Sequence, residues 1–252
     1  MEKLFDINEQ GHSVRCKLFY EKDPHLAENV VLILHGFGSS KDLKSNSKFG
    51  ERLRAKYKNY AAIAFDLPAH GADARKKLTV AECLEYVQLV VNYAKEKLRA
   101  KNVYAYATSF GGYLTLKYLT DFGNPFTKIA LRAPAVQMHQ TLLGNMTEDE
   151  RSKVAKGKEV MLGFERKMKI GKDFLDELEQ GDIQKNDYLD FADSILIIHG
   201  TADEMVDISI SQAFAENNVI ELIAVDGADH PFSNPKHMDL AIGKVVEFLV
   251  PV

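Results

Sequence analysis

The chain has 252 residues, 46% of them hydrophobic, which is enough for one large domain with a sizeable core and an insertion. Its formal net charge of −4 comes without the basic patch that nucleic acid or an anionic membrane requires, and no window approaches the roughly 18 apolar residues of a spanning helix. The first residues lack the apolar core of a signal peptide, so we expect a cytoplasmic protein that binds neither nucleic acid nor a membrane.

The predicted elements begin with a hairpin and continue as alternating strands and helices. Residues 3–7 and 13–20 alternate in polarity on either side of a turn, which predicts an antiparallel hairpin at a sheet edge. The apolar segments that follow are typical of parallel strands covered on both faces by helices. The predicted strands are 30–34, 61–65, 103–106, 128–131, 195–198 and 219–225, and the predicted helices are 49–57, 79–98, 110–121, 209–215 and 235–249.

One segment, 133–190, interrupts this alternation. It is rich in charge and glycine, and a structureless loop of that length is improbable in a compact domain, so we expect an inserted lid subdomain between core segments 1–132 and 191–252. Its apolar residues either line a substrate cleft or only hold the lid together and to the body. These residues are Leu142, Leu143, Met146, Met161, Leu162, Phe164 and Met168.

A tight turn follows the strand predicted at 103–106. It carries Ser109 between Ala107 and Gly111, and a helix is predicted to begin at Phe110. A strained turn from strand to helix lifts one hydroxyl clear of the backbone, as in the nucleophile elbow G-x-S-x-G, whose first glycine is replaced here by Ala107. Ser109 is therefore the predicted nucleophile.

An acid and a base follow Ser109 in the chain order that this elbow requires. Asp203 and His230 both come just after predicted strands, at the sheet edge where ligands bind in open α/β folds. Asp207 and then Glu204 are the alternative acids, and His237, predicted on the last helix, is the rival base.

The loop after strand 30–34 reads His35-Gly36-Phe37-Gly38. It can turn the Phe37 amide toward the same edge as the Phe110 amide, and two such donors form an oxyanion hole. His35 and His70 stand in turns where a structural hydrogen bond is expected. Asp66 and His70 lack a third ligand at suitable spacing, so we predict no metal site. Nor is there a phosphate-binding or dinucleotide-binding motif, and no cofactor is expected. Cys16 and Cys83 are predicted to be buried free thiols.

These motifs together resemble the α/β-hydrolase superfamily, in particular small bacterial serine esterases and peptidase-like hydrolases. The matching segments are His35-Gly36-Phe37-Gly38, Asp66-Leu67-Pro68-Ala69-His70-Gly71, Ala107-Thr108-Ser109-Phe110-Gly111, His199-Gly200-Thr201-Ala202-Asp203 and Gly227-Ala228-Asp229-His230. The lid segment 160–174 is similar to that of cinnamoyl and feruloyl esterase-like enzymes. This sequence departs from the pattern at Ala107 and at Thr108, where many relatives carry a histidine.

The resemblance implies a mostly parallel central sheet with helices on both faces and hydrolysis of a small-molecule ester through an acyl-enzyme. Met161 and Phe164 of the lid are predicted to bind substrate, and Phe164, Phe174 and Phe37 are expected to offer apolar surface to an aromatic acyl group. An aminopeptidase, a thioesterase or an acyltransferase would use the same residues, and a slow-turnover binding protein would keep them. The sequence leaves open whether the chain forms a homodimer.

Overall fold

A mostly parallel sheet of eight strands forms the centre of the molecule. The structure is a computed structural model, and it describes residues 1–250. The strands of residues 1–250 are β1 (Glu2–Glu9), β2 (His12–Phe19), β3 (Asn29–Leu34), β4 (Tyr60–Phe65), β5 (Asn102–Thr108), β6 (Ile129–Arg132), β7 (Val160–Leu162), β8 (Met168–Ile170), β9 (Ile195–Gly200) and β10 (Glu221–Val225). The central sheet has the order β1-β2-β4-β3-β5-β6-β9-β10, and β7 and β8 form a separate antiparallel pair. Six strands of this sheet, β3, β4, β5, β6, β9 and β10, run parallel to one another. Strands β1 and β2 form the predicted antiparallel hairpin at one edge, and β2 pairs antiparallel with β4.

Helices cover both faces of the sheet. The α-helices of the described residues are α1 (Lys44–Lys56), α2 (Val80–Asn92), α3 (Phe110–Phe122), α4 (Met138–Gly144), α5 (Glu148–Ala155), α6 (Lys172–Gln180), α7 (Ile208–Asn218) and α8 (Pro235–Leu249). Alternate residues of β3 point to opposite faces, so that Leu32 joins the core beneath α2, α3 and α7, and Val31 joins the core beneath α1 and α8. The predicted α/β fold, with helices on both faces of a mostly parallel sheet, is confirmed. None of the helices in residues 1–250 is long and apolar enough to cross a bilayer.

Several predicted boundaries were wrong, among them the starts of α1 and β10. Helix α1 begins at Lys44 and not at residue 49, because its first turn is polar and gave no apolar periodicity. The polar Asn46 in that turn is nevertheless buried, and its amide lies 3.4 Å from the Ser40 and Lys41 carbonyls. Val219 was expected to open a strand, but it ends α7 in the left-handed conformation, with φ of 56°, and β10 begins at Glu221.

The segment 133–190 holds α4, α5, the β7–β8 hairpin, α6 and the 3-10 helix Ile183–Lys185, and a second 3-10 helix, Leu189–Ser194, crosses its end. Its buried apolar residues, such as Met168 and Phe174, belong to the same core cluster as those of α2 and α3. The division of the chain into a core and a separate lid domain stays a prediction.

The turn of the β7–β8 hairpin is fastened to the loops that follow β3 and β4. The Arg166 amide donates to the Gly38 carbonyl at 2.9 Å, and its guanidinium donates to the carbonyls of Ala69 at 2.7 Å, Arg75 at 3.0 Å and Asp73. A Cβ added to Gly38 would lie 2.5 Å from the Phe164 nitrogen, so only glycine permits this close approach. The hairpin therefore stands as a wall beside the predicted active site.

Candidate active site

Ser109 lies in the turn between β5 and α3, where its backbone is strained. Its φ of 53° and ψ of −117° place a residue with a side chain in a region that costs on the order of 1–3 kcal/mol. Hydrogen bonds hold this conformation: the Ser109 amide donates to the Arg132 carbonyl at 3.1 Å, and the Ser109 carbonyl accepts from the amides of Gly112 and Ala135 at 2.9 and 3.1 Å. A Cβ at Gly111 would lie 2.7 Å from the Leu34 carbonyl oxygen, so the glycine lets α3 approach the end of β3.

The predicted acid and base form a hydrogen-bonded pair. His230 Nδ1 lies 2.7 Å from Oδ2 of Asp203, whose side chain is fully buried. Burial by itself would raise the pKa of Asp203, but hydrogen bonds from His199 and His230 outweigh it and hold that pKa well below its ordinary value.

The alternative acids and the rival base stand elsewhere. Asp207 is exposed and caps α7 by accepting the Ser209 amide at 2.8 Å, and Glu204 is exposed. His237 lies on α8, as expected. Among the described residues, neither Asp207 nor Glu204 bonds to His230.

The residues that carry the Phe37 and Phe110 amides both lie next to Ser109. Phe110 is the first residue of α3, and a Cβ on Gly36, directly before Phe37, would lie 3.2 Å from Ser109 Cβ. Within residues 1–250 neither amide donates a hydrogen bond to the protein. The Phe37 ring packs edge-on against Phe110 at 5.7 Å and stacks on Phe174 at 6.3 Å, which fixes the loop.

His35 and His70 make hydrogen bonds within this framework that suit neutral imidazoles. His35 Nδ1 donates to the Gly36 carbonyl at 2.8 Å, and its Nε2 accepts the Leu67 amide at 3.1 Å. His70 Nδ1 donates to the Pro68 carbonyl at 2.7 Å, and its buried Nε2 has no partner in the described residues. Burial lowers the pKa of His35 to about 4 and that of His70 to about 3.

Because the pKa values of His35 and His70 are lowered, we expect the folded protein to lose stability at acid pH. A histidine whose folded pKa lies below its unfolded value of 6.5 takes up a proton more readily when unfolded, so stability falls as pH drops from about 6.5 toward the folded pKa. At pH 5 we expect each to cost about 2 kcal/mol relative to pH 7.5. Urea unfolding at both pH values measures this difference.

His70→Asn keeps a donor for the Pro68 carbonyl and should recover about 2 kcal/mol of that loss. His25→Gln, at an exposed histidine, is the control and should recover none. An identical pH dependence in His70→Asn and the wild type would contradict the prediction.

A cavity of about 290 Å³ opens beside the serine turn. Ser109, His230 and Phe37 line it from the core, and the predicted Met161 and Phe164 line it from the β7–β8 hairpin. The remaining lining residues are Met138, Thr141, Leu142, Asn145, Glu150, Leu162, Gly163, Lys167, Met205 and Val206. The cavity thus brings the predicted nucleophile and base together with part of the predicted lid surface.

Phe174 was expected to offer surface to a substrate, and this expectation was wrong. It is buried beneath Phe37 and is absent from the cavity wall, because α6 directs it into the core. Met146 and Met168 are likewise buried away from the wall, so of the two roles left open for the lid residues they have the packing role.

Several residues at the site were missed from the sequence. Met138 and Thr141 on α4 and Asn145 directly after it recur at helical spacing, a signal that could have identified one wall of the cavity. Arg132 is buried at the end of β6, where it lies over the Phe232 ring at 5.1 Å and reaches the His230 carbonyl at 3.4 Å. No local pattern marked it.

The Asp66 carboxylate accepts the Lys41 amide at 2.7 Å and pairs with the Lys41 ammonium at 3.1 Å. In residues 1–250 no group of three or more histidine, cysteine and acidic side chains is placed to hold a metal ion.

Solved structures of esterases and lipases share this architecture. Est1E from Butyrivibrio proteoclasticus, with ferulic acid bound, is 22% identical with a TM-score of 0.77 and covers 97% of both chains. The esterase domain of a Rhodothermus marinus protein is 19% identical with a TM-score of 0.69, over 97% of this chain and 96% of that one. A monoacylglycerol lipase from Paleococcus ferrophilus is 17% identical with a TM-score of 0.67, over 94% and 98%. None of the curated proteins compared with the chain matches it.

At these identities the structural likenesses show the fold alone. The sequence model described as alpha/beta hydrolase fold matches residues 29–159, slightly more than half of the chain, and this range includes the motifs His35-Gly36-Phe37-Gly38 and Ala107-Thr108-Ser109-Phe110-Gly111. The chain therefore belongs to the alpha/beta hydrolase family.

Proposed function

We propose that this protein is a serine hydrolase that cleaves carboxylic esters. One observation carries the proposal. Ser109, on its strained turn, lines the same cavity as His230, and Nδ1 of His230 bonds to the buried Asp203. A serine hydroxyl is unreactive until a neighbouring base removes its proton, and this arrangement supplies the base and the group that orients it.

The reaction follows from these positions. Ser109 Oγ attacks the ester carbonyl carbon while His230 Nε2 accepts the hydroxyl proton. Asp203 holds the Nδ1–H tautomer and stabilises the imidazolium that forms. The Phe37 and Phe110 amides, which have no hydrogen-bond acceptor among residues 1–250, donate to the oxyanion. His230 then gives its proton to the leaving alcohol, and water, activated by the same histidine, releases the acid from the acyl-enzyme.

The cavity favours small to medium acyl or aryl groups. Its volume of about 290 Å³ is small for a ligand pocket, and methionine, leucine and phenylalanine side chains form much of its wall. Est1E, a structure with the same fold, holds ferulic acid. We therefore propose short aliphatic and hydroxycinnamoyl-type esters as substrates.

Two measurements test the reaction class. A fluorophosphonate probe should label wild-type protein at Ser109, which shows an activated serine. Multiple turnover of p-nitrophenyl acetate distinguishes an enzyme from a slow-turnover binding protein of the same fold. Parallel assays with an aminoacyl amide and an acyl thioester decide among esterase, aminopeptidase and thioesterase, and product analysis with an added alcohol identifies an acyltransferase. Labelling without turnover would contradict the proposal.

A further prediction concerns the lid wall. Phe164→Ala should raise KM for methyl hydroxycinnamate about 2- to 10-fold, the range expected for one aromatic contact, and leave fluorophosphonate labelling unchanged. Phe122→Ala is a matched control, because Phe122 is 54% exposed, close to the 61% of Phe164, and lies outside this cavity. A p-nitrophenyl ester series completes the test. A preference for acyl chains longer than about ten carbons, or an unchanged KM, would contradict this substrate assignment.

We also propose that the protein acts in the cytoplasm. Its two cysteines, Cys16 and Cys83, are buried free thiols, as predicted, and burial raises the pKa of both. Free thiols suit a reducing compartment. A homodimer stays a prediction, which light scattering in solution can test.

A further inference from the structure

The carboxylate of Asp203 receives four hydrogen-bond donors. Oδ1 accepts the main-chain amides of Met205 and Val206, both at 2.9 Å. Oδ2 accepts from His230 Nδ1 at 2.7 Å and from a second imidazole, His199 Nε2, at 3.1 Å. Both the Asp203 and His199 side chains have no exposed surface, so these protein groups alone decide how the carboxylate is oriented.

The surroundings of His199 fix its tautomer. Nε2 lies 2.9 Å from the Val206 carbonyl as well as 3.1 Å from Asp203 Oδ2, and both of these oxygens only accept, so Nε2 must carry the hydrogen. Nδ1 lies 2.9 Å from Ser211 Oγ, a buried hydroxyl that can donate to it. The single hydrogen on Nε2 is therefore shared between the Val206 carbonyl and Asp203 Oδ2, while Nδ1 can accept from Ser211.

We propose that His199 is a positioning residue for the proposed ester hydrolysis, and that its Nε2–H holds the Asp203 carboxylate with Oδ2 facing His230 Nδ1. The inference rests on the proposed function, in which Asp203 must keep His230 in one tautomer. Strand β9 carries His199 and α7 carries Ser211, so two rigid elements fix the carboxylate, which stands on a loop.

The second donor also affects charge. His199 shares Oδ2 with His230 and thereby withdraws negative charge from the hydrogen bond to the base. Charged side chains near Asp203 and His230 include Asp207, exposed at the start of α7, and Arg132 on β6, whose guanidinium reaches the His230 carbonyl. Glu150 and Lys167 line the same cavity as His230. With His199 removed, Asp203 becomes a stronger acceptor, which favours the protonated form of His230.

Two variants separate the donor from the packing of the ring. His199→Leu should lower kcat about 10- to 100-fold, the range for a lost hydrogen bond to a charged group, with little change in KM. It should also move the acid limb of the kcat/KM profile to higher pH. His199→Gln places an amide N–H near the position of Nε2 and should recover most of the kcat loss.

Asn218→Leu is the matched control. Asn218 is buried at the far end of α7, where it accepts the Tyr188 amide at 3.0 Å and donates to the Phe214 carbonyl at 2.9 Å. Loss of these two hydrogen bonds in Asn218→Leu should lower the free energy of unfolding but leave kcat and the pH profile of the folded enzyme unchanged. If Asn218→Leu reproduced the effects of His199→Leu, or if His199→Gln were as impaired as His199→Leu, the inference would be overturned.

Nuclear magnetic resonance of the ¹⁵N-histidine-labelled wild type provides a readout that requires neither turnover nor a leucine variant. We expect His199 as the Nε2–H tautomer and a downfield proton on His230 Nδ1, with a position that changes in His199→Gln. An Nδ1–H tautomer at His199 would overturn the inference. If the wild type shows no turnover but His199 is the Nε2–H tautomer and the His230 proton changes position in His199→Gln, the result would support the positioning of Asp203. It would then count against the proposed function only.

Discussion

Ser109→Ala is expected to abolish ester hydrolysis, with a loss in kcat of about 10⁴-fold or more, because no other group in the proposed mechanism attacks the carbonyl. The fold should survive. Alanine meets the same strain at φ of 53° as serine, and the hydrogen bonds that hold this turn use the main chain of residue 109. Steady-state kinetics with p-nitrophenyl acetate and urea unfolding measure the two effects.

A serine in segment 133–190 supplies the control for this variant. Ser152 is exposed on α5 and lies outside the cavity, so Ser152→Ala should keep full activity and full fluorophosphonate labelling. Turnover retained in Ser109→Ala, beyond what contaminating wild type explains, would remove Ser109 from the mechanism.

Asp203→Asn is expected to lower kcat by about 10⁴-fold, because an amide favours the wrong tautomer of His230. The four donors around Asp203 make the change more severe. If the amide oxygen takes the place of Oδ2, its NH₂ group faces the amides of Met205 and Val206, and if it is reversed, NH₂ faces the two imidazoles. Neither orientation satisfies all partners.

Asp207→Asn is the paired variant for this prediction, because Asp207 is the neighbouring acid and caps α7. The asparagine oxygen can still accept the Ser209 amide, so we expect kcat to stay within a few-fold of the wild type. Assays of both variants at the same pH make the comparison. If Asp207→Asn were the more damaging change, Asp203 would not be the group that orients His230.

The fold class and most of the helices and strands could be predicted from the sequence. Strands such as β3 and β4 are buried along their whole length, and a short continuous run of apolar residues indicates such burial directly. The serine turn could also be predicted, because the small residues Ala107 and Gly111 lie close to Ser109 in the sequence. The order of Ser109, Asp203 and His230 then limited the predicted site to a few candidates.

Tertiary structure decided what depends on contacts between distant segments. Only the packed chain shows that Asp203 bonds to His230, that His199 shares its carboxylate, and that Phe164 lines the cavity whereas Phe174 lies in the core. Phe164 and Phe174 are ten residues apart in one lid segment and have the same side chain, so no local pattern distinguishes them. Phe164 and Phe174 differ in exposure because Gly38 and Arg166 hold the β7–β8 hairpin beside the site, whereas α6 packs Phe174 into the core. Both arrangements depend on contacts between segments that are distant in the sequence.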